Sequence, residues 1–434
     1  MRTVTESHHS IFGVTWDSAS ALIGIINSVI LIFVVAFVVL TAQSAQGQTY
    51  GVLYKFSGGL DGSQPWGQLA MDAAGSLYVA AESGAADKLI HTPGGWVVQP
   101  LYDFNSSGDG TEPQIVLAPN GVVFGATQFG GTEGCGNVFE LRPSPTFPRT
   151  PLAPWNETIL YQFLYGFDGC RPASAPIIDP AGNLYGTTST GGYYGLGTVY
   201  ELARSGQTYT EQLVYSFEGG NDGDAPFVGL IADNSFTNLY GVTWGGGSPT
   251  GCNYAGCGTV FKLTNTGSGW TESILYSFQA DSDGKNPSTG LALDSSGNLY
   301  GATSVGGVGG GGTIFKLTPS GGAYTFSVLY SFTAACNGLC GPTLGAVTLD
   351  AAGSIYGTTF AQGAQNQGSA FELSPTGEGY TYTDLHDFTW GAGGAHPEGG
   401  IIRDPRGNLY GTTISGGSNA CGLYGCGVIW EITP

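Results

Sequence analysis

Residues 287–332 set out the hydrophobic and polar pattern of the chain in one unit. "TGLALD" is a short apolar run, "SSG" is a turn, and "NLYGAT" alternates until glycines end it. "GTIFKLT" sets Ile and Leu against Phe and Lys, "PSGGA" turns again, and "YTFSVLYSF" is the longest alternating run. The period of two predicts four short antiparallel strands, here a, b, c and d, joined as a meander. Asp294 stands where its carboxylate can bond the backbone of its own turn. Neither face of this sheet is consistently polar, and one four-stranded sheet cannot bury both faces alone.

The unit recurs at intervals of about 55 residues. Strand b opens it seven times: "GSLYVAA" (75–81), "NGVVFGAT" (120–127), "GNLYGTT" (182–188), "TNLYGVT" (237–243), "GNLYGAT" (297–303), "GSIYGTT" (353–359) and "GNLYGTT" (407–413). Strand c follows in most units, as in "GTVYEL" (197–202), with only a degenerate "DKLIHT" (87–92) in the first. Strand d carries "LYxF"-type endings, from "VLYKF" (52–56) to "DLHDF" (384–388). The repeat starts with a d strand (49–56) and stops with a c strand (427–434), so the two ends complete one mixed blade. A linear array would want capping units instead. The expected fold is all-β: a seven-bladed β-propeller of four-stranded antiparallel blades over residues 49–434, its ring closed by pairing of the N-terminal strand with the C-terminal strand.

Composition agrees. Of 434 residues, 75 are glycine, 12% are aromatic and only 10% are charged, which suits strands and tight turns rather than surface helices. The net charge of −20, with 12 basic residues, would repel a phosphate backbone, so no nucleic-acid partner is expected. Residues 1–48 stand apart from the repeat. Their apolar run "VILIFVVAFVVL" (29–40), followed by small and polar residues, reads as a secretory signal cleaved near Ala45. The stretch from Ala21 to Leu40 is also long enough to be a retained membrane anchor. Either way the remainder is exported to the periplasm, envelope or exterior, and a membrane partner is expected only with the anchor.

Eight cysteines fit an oxidising compartment. Cys252 with Cys257, Cys336 with Cys340, and Cys421 with Cys426 are near neighbours. Cys135 lies in the b–c loop of the second blade and Cys170 in its d–a loop, two points that adjacent strands bring side by side. Disulfides are expected for all four pairs. Zinc is the alternative, though no two pairs lie close in sequence and no histidine accompanies them.

The d–a loops share an Asp-Gly and a proline. Asp61, Asp109, Asp168, Asp222 and Asp283 serve the turn, or form a carboxylate ring that attracts calcium at one mouth of the channel. No other cofactor and no metal ligand set is indicated. Trp66, Tyr193, Tyr194, Trp244, Tyr254, Trp390 and Tyr424 break the repeat pattern on the b–c and d–a loop face, where rings could stack on sugars or grip a peptide. His396, before Pro397, joins them as the one candidate acid or base histidine. Catalytic motifs are missing: there is no G-x-S-x-G and no H-E-x-x-H. Asp283, Glu112 and Glu398 could supply a carboxylate pair for glycoside chemistry.

The runs "GNLYGTTSTGGYYGLGTVYEL" (182–202) and "LYSF…DG…P…GL…D" resemble the Gloeo/Verruco-type (GloVer) tandem repeat, over nearly everything after residue 48. The resemblance implies an exported or envelope protein, often anchored, and brings no catalytic residues. Kelch spacing is not met, and the sole "WD" precedes the repeats. The expected function is non-enzymatic binding of a carbohydrate or protein ligand by a monomeric propeller through its b–c and d–a loops. The alternative is a polysaccharide-active hydrolase or lyase with carboxylates at the channel mouth.

Overall fold

The computed structural model describes residues 48–104, 108–144, 155–247, 252, 256–280, 282–333, 341–342 and 345–434. Seven antiparallel sheets form a propeller. Blade 1 runs from Ala70–Met71 through Leu77–Ala81 and Ala85–Thr92 to Gly95–Asp103, in chain order. Blades 2 to 6 repeat that order, and the seventh sheet closes the ring. There Thr49–Lys55 pairs antiparallel with Val428–Thr433, from Thr49 opposite Thr433 to Lys55 opposite Val428. Blade 1 has a full strand c despite its degenerate sequence. The innermost strands are shorter than their apolar runs, only two residues in most blades, and in blade 5 strand a is split into Lys285–Pro287 and Ala292–Leu293. The expected N-terminal segment, Ala45, Cys336 and Cys340 lie outside the described residues.

The repeated "LYG" has a packing cause. The glycine of strand b pairs across the sheet with the aromatic residue of strand c: Gly125 with Phe139, Gly186 with Tyr200, Gly241 with Phe261, Gly301 with Phe315, Gly357 with Phe371 and Gly411 with Trp430. The ring lies over the glycine. A Cβ on Gly301 would stand 2.6 Å from Phe315 Cζ, one on Gly357 2.7 Å from Phe371 Cζ, and the other four closer still. Any side chain there would overpack a closed core. Blade 1 swaps both partners at once, with Val79 opposite Asp87.

Strand d locks each blade. Its last aromatic (Phe56, Phe104, Phe163, Phe217, Phe278, Phe332 or Phe388) is buried. Its N–H bonds the glycine carbonyl just before strand c, as in Phe163 to Gly136 O at 3.1 Å and Phe388 to Gly368 O at 2.9 Å. A bulge three residues earlier, at the residue just before the tyrosine of "LYxF", recurs in all seven blades and turns that tyrosine toward the next blade. At the a–b turn, Asp294 accepts from Ser296 N and Asn298 N, both at 2.9 Å, as its turn sequence implied. Burial opposes the charge on Asp294, but these bonds and that from Asn298 Nδ2 hold its pKa below the ordinary value.

Candidate ligand-binding face

Each d–a loop ends in x-Pro-y, and the residue before the proline is left-handed. Gln64, Glu112, Arg171, Ala225, Asn286 and His396 all have φ between 52° and 62°, and Gly341 holds the seventh position. Such a conformation costs a residue with a Cβ roughly 1–2 kcal/mol. Backbone clips hold it. The N–H of Gln64 bonds Cys426 O at 2.8 Å, that of Arg171 bonds Cys135 O at 2.8 Å, and that of Asn286 bonds Cys257 O at 2.8 Å. Their carbonyls accept from the residue after strand b of the next blade, Gln64 from Glu82 at 3.0 Å and Ala225 from Trp244 at 3.1 Å. The cysteine whose carbonyl serves each clip is disulfide-bonded in three blades: Cys135–Cys170, Cys252–Cys257 and Cys421–Cys426. The bridges therefore brace one face, and they suggest an oxidising, extracellular or periplasmic setting.

The clips aim three variable positions at the mouth. The residue after the proline descends into the channel, so Trp66, Gln114, Ala173 and Phe227 line a cavity of about 350 Å³. Leu69, Ile115, Val228 and Leu291 make its walls. Trp66 Nε1 and Ser174 Oγ are buried there without a hydrogen-bond partner. Glu82 lies close enough to both Glu398 and Glu112 for its charge to act on each. Glu398 is pushed up to about 7, first by burial and then by Glu82. Burial raises Glu112 too, with Glu82 adding and Arg171 opposing, and burial raises Glu82 itself.

The aromatic candidates separate into groups. Trp66 belongs to the channel. Trp244, 38% exposed, meets Phe227 edge-on at 6.4 Å. His396 stacks on Phe360 at 4.8 Å and touches Trp390 at 5.4 Å, which in turn meets Tyr424 at 6.4 Å. Burial lowers the His396 pKa, because it disfavours the charged imidazolium. Tyr193 and Tyr194 form a separate exposed patch, with Phe167 at 4.8 Å from Tyr193 and Tyr194 bonded to Glu218 at 3.0 Å. Tyr254 lies outside the described residues.

The aspartates serve their loops. Asp61 accepts from Tyr54 Oη at 2.9 Å and Ser57 N at 2.7 Å, Asp168 from Tyr161 Oη and Leu164 N at 2.9 Å, and Asp283 from Tyr276 Oη at 2.8 Å and Gln279 N at 2.9 Å. Asp109 and Asp222 take the same tyrosine bond, at 2.9 and 3.2 Å. Asp283 thus works at a turn, while Glu82 joins Glu112 and Glu398. Among the described residues no group of three or more His, Cys, Asp or Glu could hold a metal ion. Sequence reasoning missed Glu82, Gln114, Phe227 and Phe167. The first three sit at fixed places in the unit, after strand b or after the proline.

The WD40 β-propeller domain of Doa1 is similar in structure, with 9% identity, 89% of this chain and 97% of that chain covered, and a TM-score of 0.52. The periplasmic gluconolactonase of Pseudomonas aeruginosa aligns at 13% identity over 82% of this chain and 93% of that chain, with a TM-score of 0.49. At such identities the likeness concerns the fold alone. No curated protein matches the chain in sequence. The model of the Gloeobacter/Verrucomicrobia repeat matches residues 89–253 and again 250–434, and the chain belongs to that repeat family.

Proposed function

We propose that this chain is an exported binding module that holds a carbohydrate on its b–c and d–a loop face, around the channel mouth. One observation carries the reading. The blade framework is repeated almost unchanged, while the residue after each proline differs from blade to blade, and Trp66, Gln114, Ala173 and Phe227 line one cavity. There Trp66, Phe227 and Trp244 offer ring faces, and Gln114, Arg171 and the three glutamates offer hydrogen bonds to hydroxyls. Residues 1–48 are the export segment in this reading, and N-terminal sequencing of the exported protein separates a cleaved signal from an anchor.

A glycan array of residues 49–434, with and without calcium, tests it. The expected result is binding that weakens at least tenfold in Trp66→Ala and Trp244→Ala. Silence on every glycan, or unchanged binding in both variants, would overturn it. A second reading has its own support: Glu398, held at about 7 beside Glu82 and near Glu112, is poised as a general acid. If the module is instead a hydrolase or lyase, bound glycan is turned over, and Glu398→Gln abolishes turnover while leaving binding intact.

A further inference from the structure

Six of the seven blade interfaces use one pair of positions, the "LYxF" tyrosine of one strand d (His386 in blade 6) and the residue four before its counterpart in the next blade's strand d. Between blades 7 and 1 that place is Val98, and the carboxyl near Tyr54 comes from strand c as Asp87. Between blades 4 and 5 the pair is Tyr276 on Phe326, stacked at 3.9 Å. Between 5 and 6 it is Tyr330 on Tyr382 at 4.6 Å, and between 6 and 7 it is His386 on Tyr50 at 3.6 Å. The next four interfaces hold carboxyls instead. Tyr102 reaches Asp109 at 2.9 Å and Glu157 at 3.2 Å. Its single hydroxyl hydrogen cannot serve both. Tyr161 bonds Asp168 and Tyr215 bonds Asp222, leaving one buried oxygen each of Glu211 and Glu272 without a partner. At the interface of blades 7 and 1, Tyr54 bonds Asp61, and Asp87 is 1% exposed with neither oxygen bonded.

These four interfaces, 7/1, 1/2, 2/3 and 3/4, are consecutive. Each encloses a carboxyl that it cannot satisfy as an anion. We propose that they make one half of the ring proton-dependent: as their carboxyls ionise, this half loosens, while the three stacked interfaces hold.

The surroundings agree. Burial first, then the facing aspartate, raises Glu157, Glu211 and Glu272 to about 7, the partners being Asp109, Asp168 and Asp222. Burial, then Asp61 and Asp103, raises Asp87 well above the usual range. Tyr102, Tyr161, Tyr215 and Tyr54 face the four groups, and no basic side chain acts on any of them. A carboxyl raised in the folded state contributes its full stability below its unfolded value. That contribution is lost as pH rises through the folded value, here near neutrality for the glutamates. The inference is independent of the ligand and stands or falls apart from the binding reading.

Hydrogen exchange of the folded protein at pH 6 and pH 8.5, corrected for intrinsic rates, tests it. In Trp155–Gln162, Thr208–Ser216 and Trp270–Ser277 the opening constant is expected to rise about tenfold or more at the higher pH, against little change in Ala323–Ser331 and Gly379–Asp387. The variant D87N/E157Q/E211Q/E272Q should lose the rise. If that variant fails to fold, Glu272→Gln alone should flatten Trp270–Ser277 and leave the neighbouring blades responsive. An equal rise in both halves, or a rise that survives the glutamine substitutions, would overturn the proposal.

Discussion

Blades 2 to 4 and blades 5 and 6 are written in the same repeat and differ in how they join. The first set presents glutamates to the preceding tyrosine and the second presents rings. Within every blade from 2 to 7, by contrast, the glycine–aromatic pair of strands b and c is kept. The lesson is that this repeat specifies the interior of a blade tightly and its junction loosely. A core pair with no free volume tolerates no drift, whereas a junction at the ring's outer edge accepts either a stacked pair or a protonated carboxyl. Only one half then loosens as pH rises through neutrality.

The largest test of this contrast is covalent. Cys135–Cys170 spans 35 residues at the join of blades 2 and 3, inside the carboxyl half. Cys135→Ser with Cys170→Ser should cost about 4 kcal/mol in urea unfolding, against about 2 for removing Cys421–Cys426, whose span is 5. Local exchange after the first change should rise most across blades 2 and 3. Next comes Phe326→Ala, which removes a ring stacked on Tyr276. A loss of about 3 kcal/mol is expected, and the same loss at pH 6 and 8.5, because no titrating group is exchanged. A pH-dependent loss would erase the distinction between the halves. Smaller still is Glu272→Phe, which copies Phe326 onto Tyr215. It should gain about 1 kcal/mol at pH 8.5 and close to nothing at pH 5, read as a Tm difference between the two pH values.

Much of this architecture is legible in the residues. Strands b, c and d announce themselves by alternation, and the phase of the two ends fixes the closing sheet that Thr49 and Thr433 make. Cys135 and Cys170 follow from that phase. The shortness of strand a is not legible, since the apolar run in "TGLALD" extends beyond Ala292–Leu293, the part that pairs with strand b. Blade 1 looked degenerate because Val79 and Asp87 replace glycine and ring together, a compensation visible only across the strand pair. Trp66 and His396 stood out by breaking the repeat. Glu82, Gln114 and Phe227 did not, because what they face is decided by ring closure. Glu157, Glu211 and Glu272 share one place in strand d, but each partner tyrosine lies a whole repeat earlier, where periodicity within a strand says nothing.

The smallest test probes the stacked half at the other end of the pH scale. His386 replaces the usual tyrosine and stacks on Tyr50 of the closing strand. Burial lowers its pKa, with Asp387 acting weakly the other way, and Asp384 nearby is raised to about 6 by burial and by Asp387. A histidine held neutral contributes its stability above its unfolded value, and loses it as pH falls through the lower folded value. His386 is thus expected to weaken the junction of blades 6 and 7 in acid, opposite in sign to the carboxyl half, while the raised Asp384 acts the other way and is common to wild type and the His386 variant. His386→Tyr restores the repeat's own residue and should remove this acid loss, up to about 1 kcal/mol because the site is partly solvated. Thermal unfolding from pH 4.5 to 7 decides the matter: if wild type and H386Y fall in parallel on the acid side, the stacked half carries no proton-sensitive junction of its own.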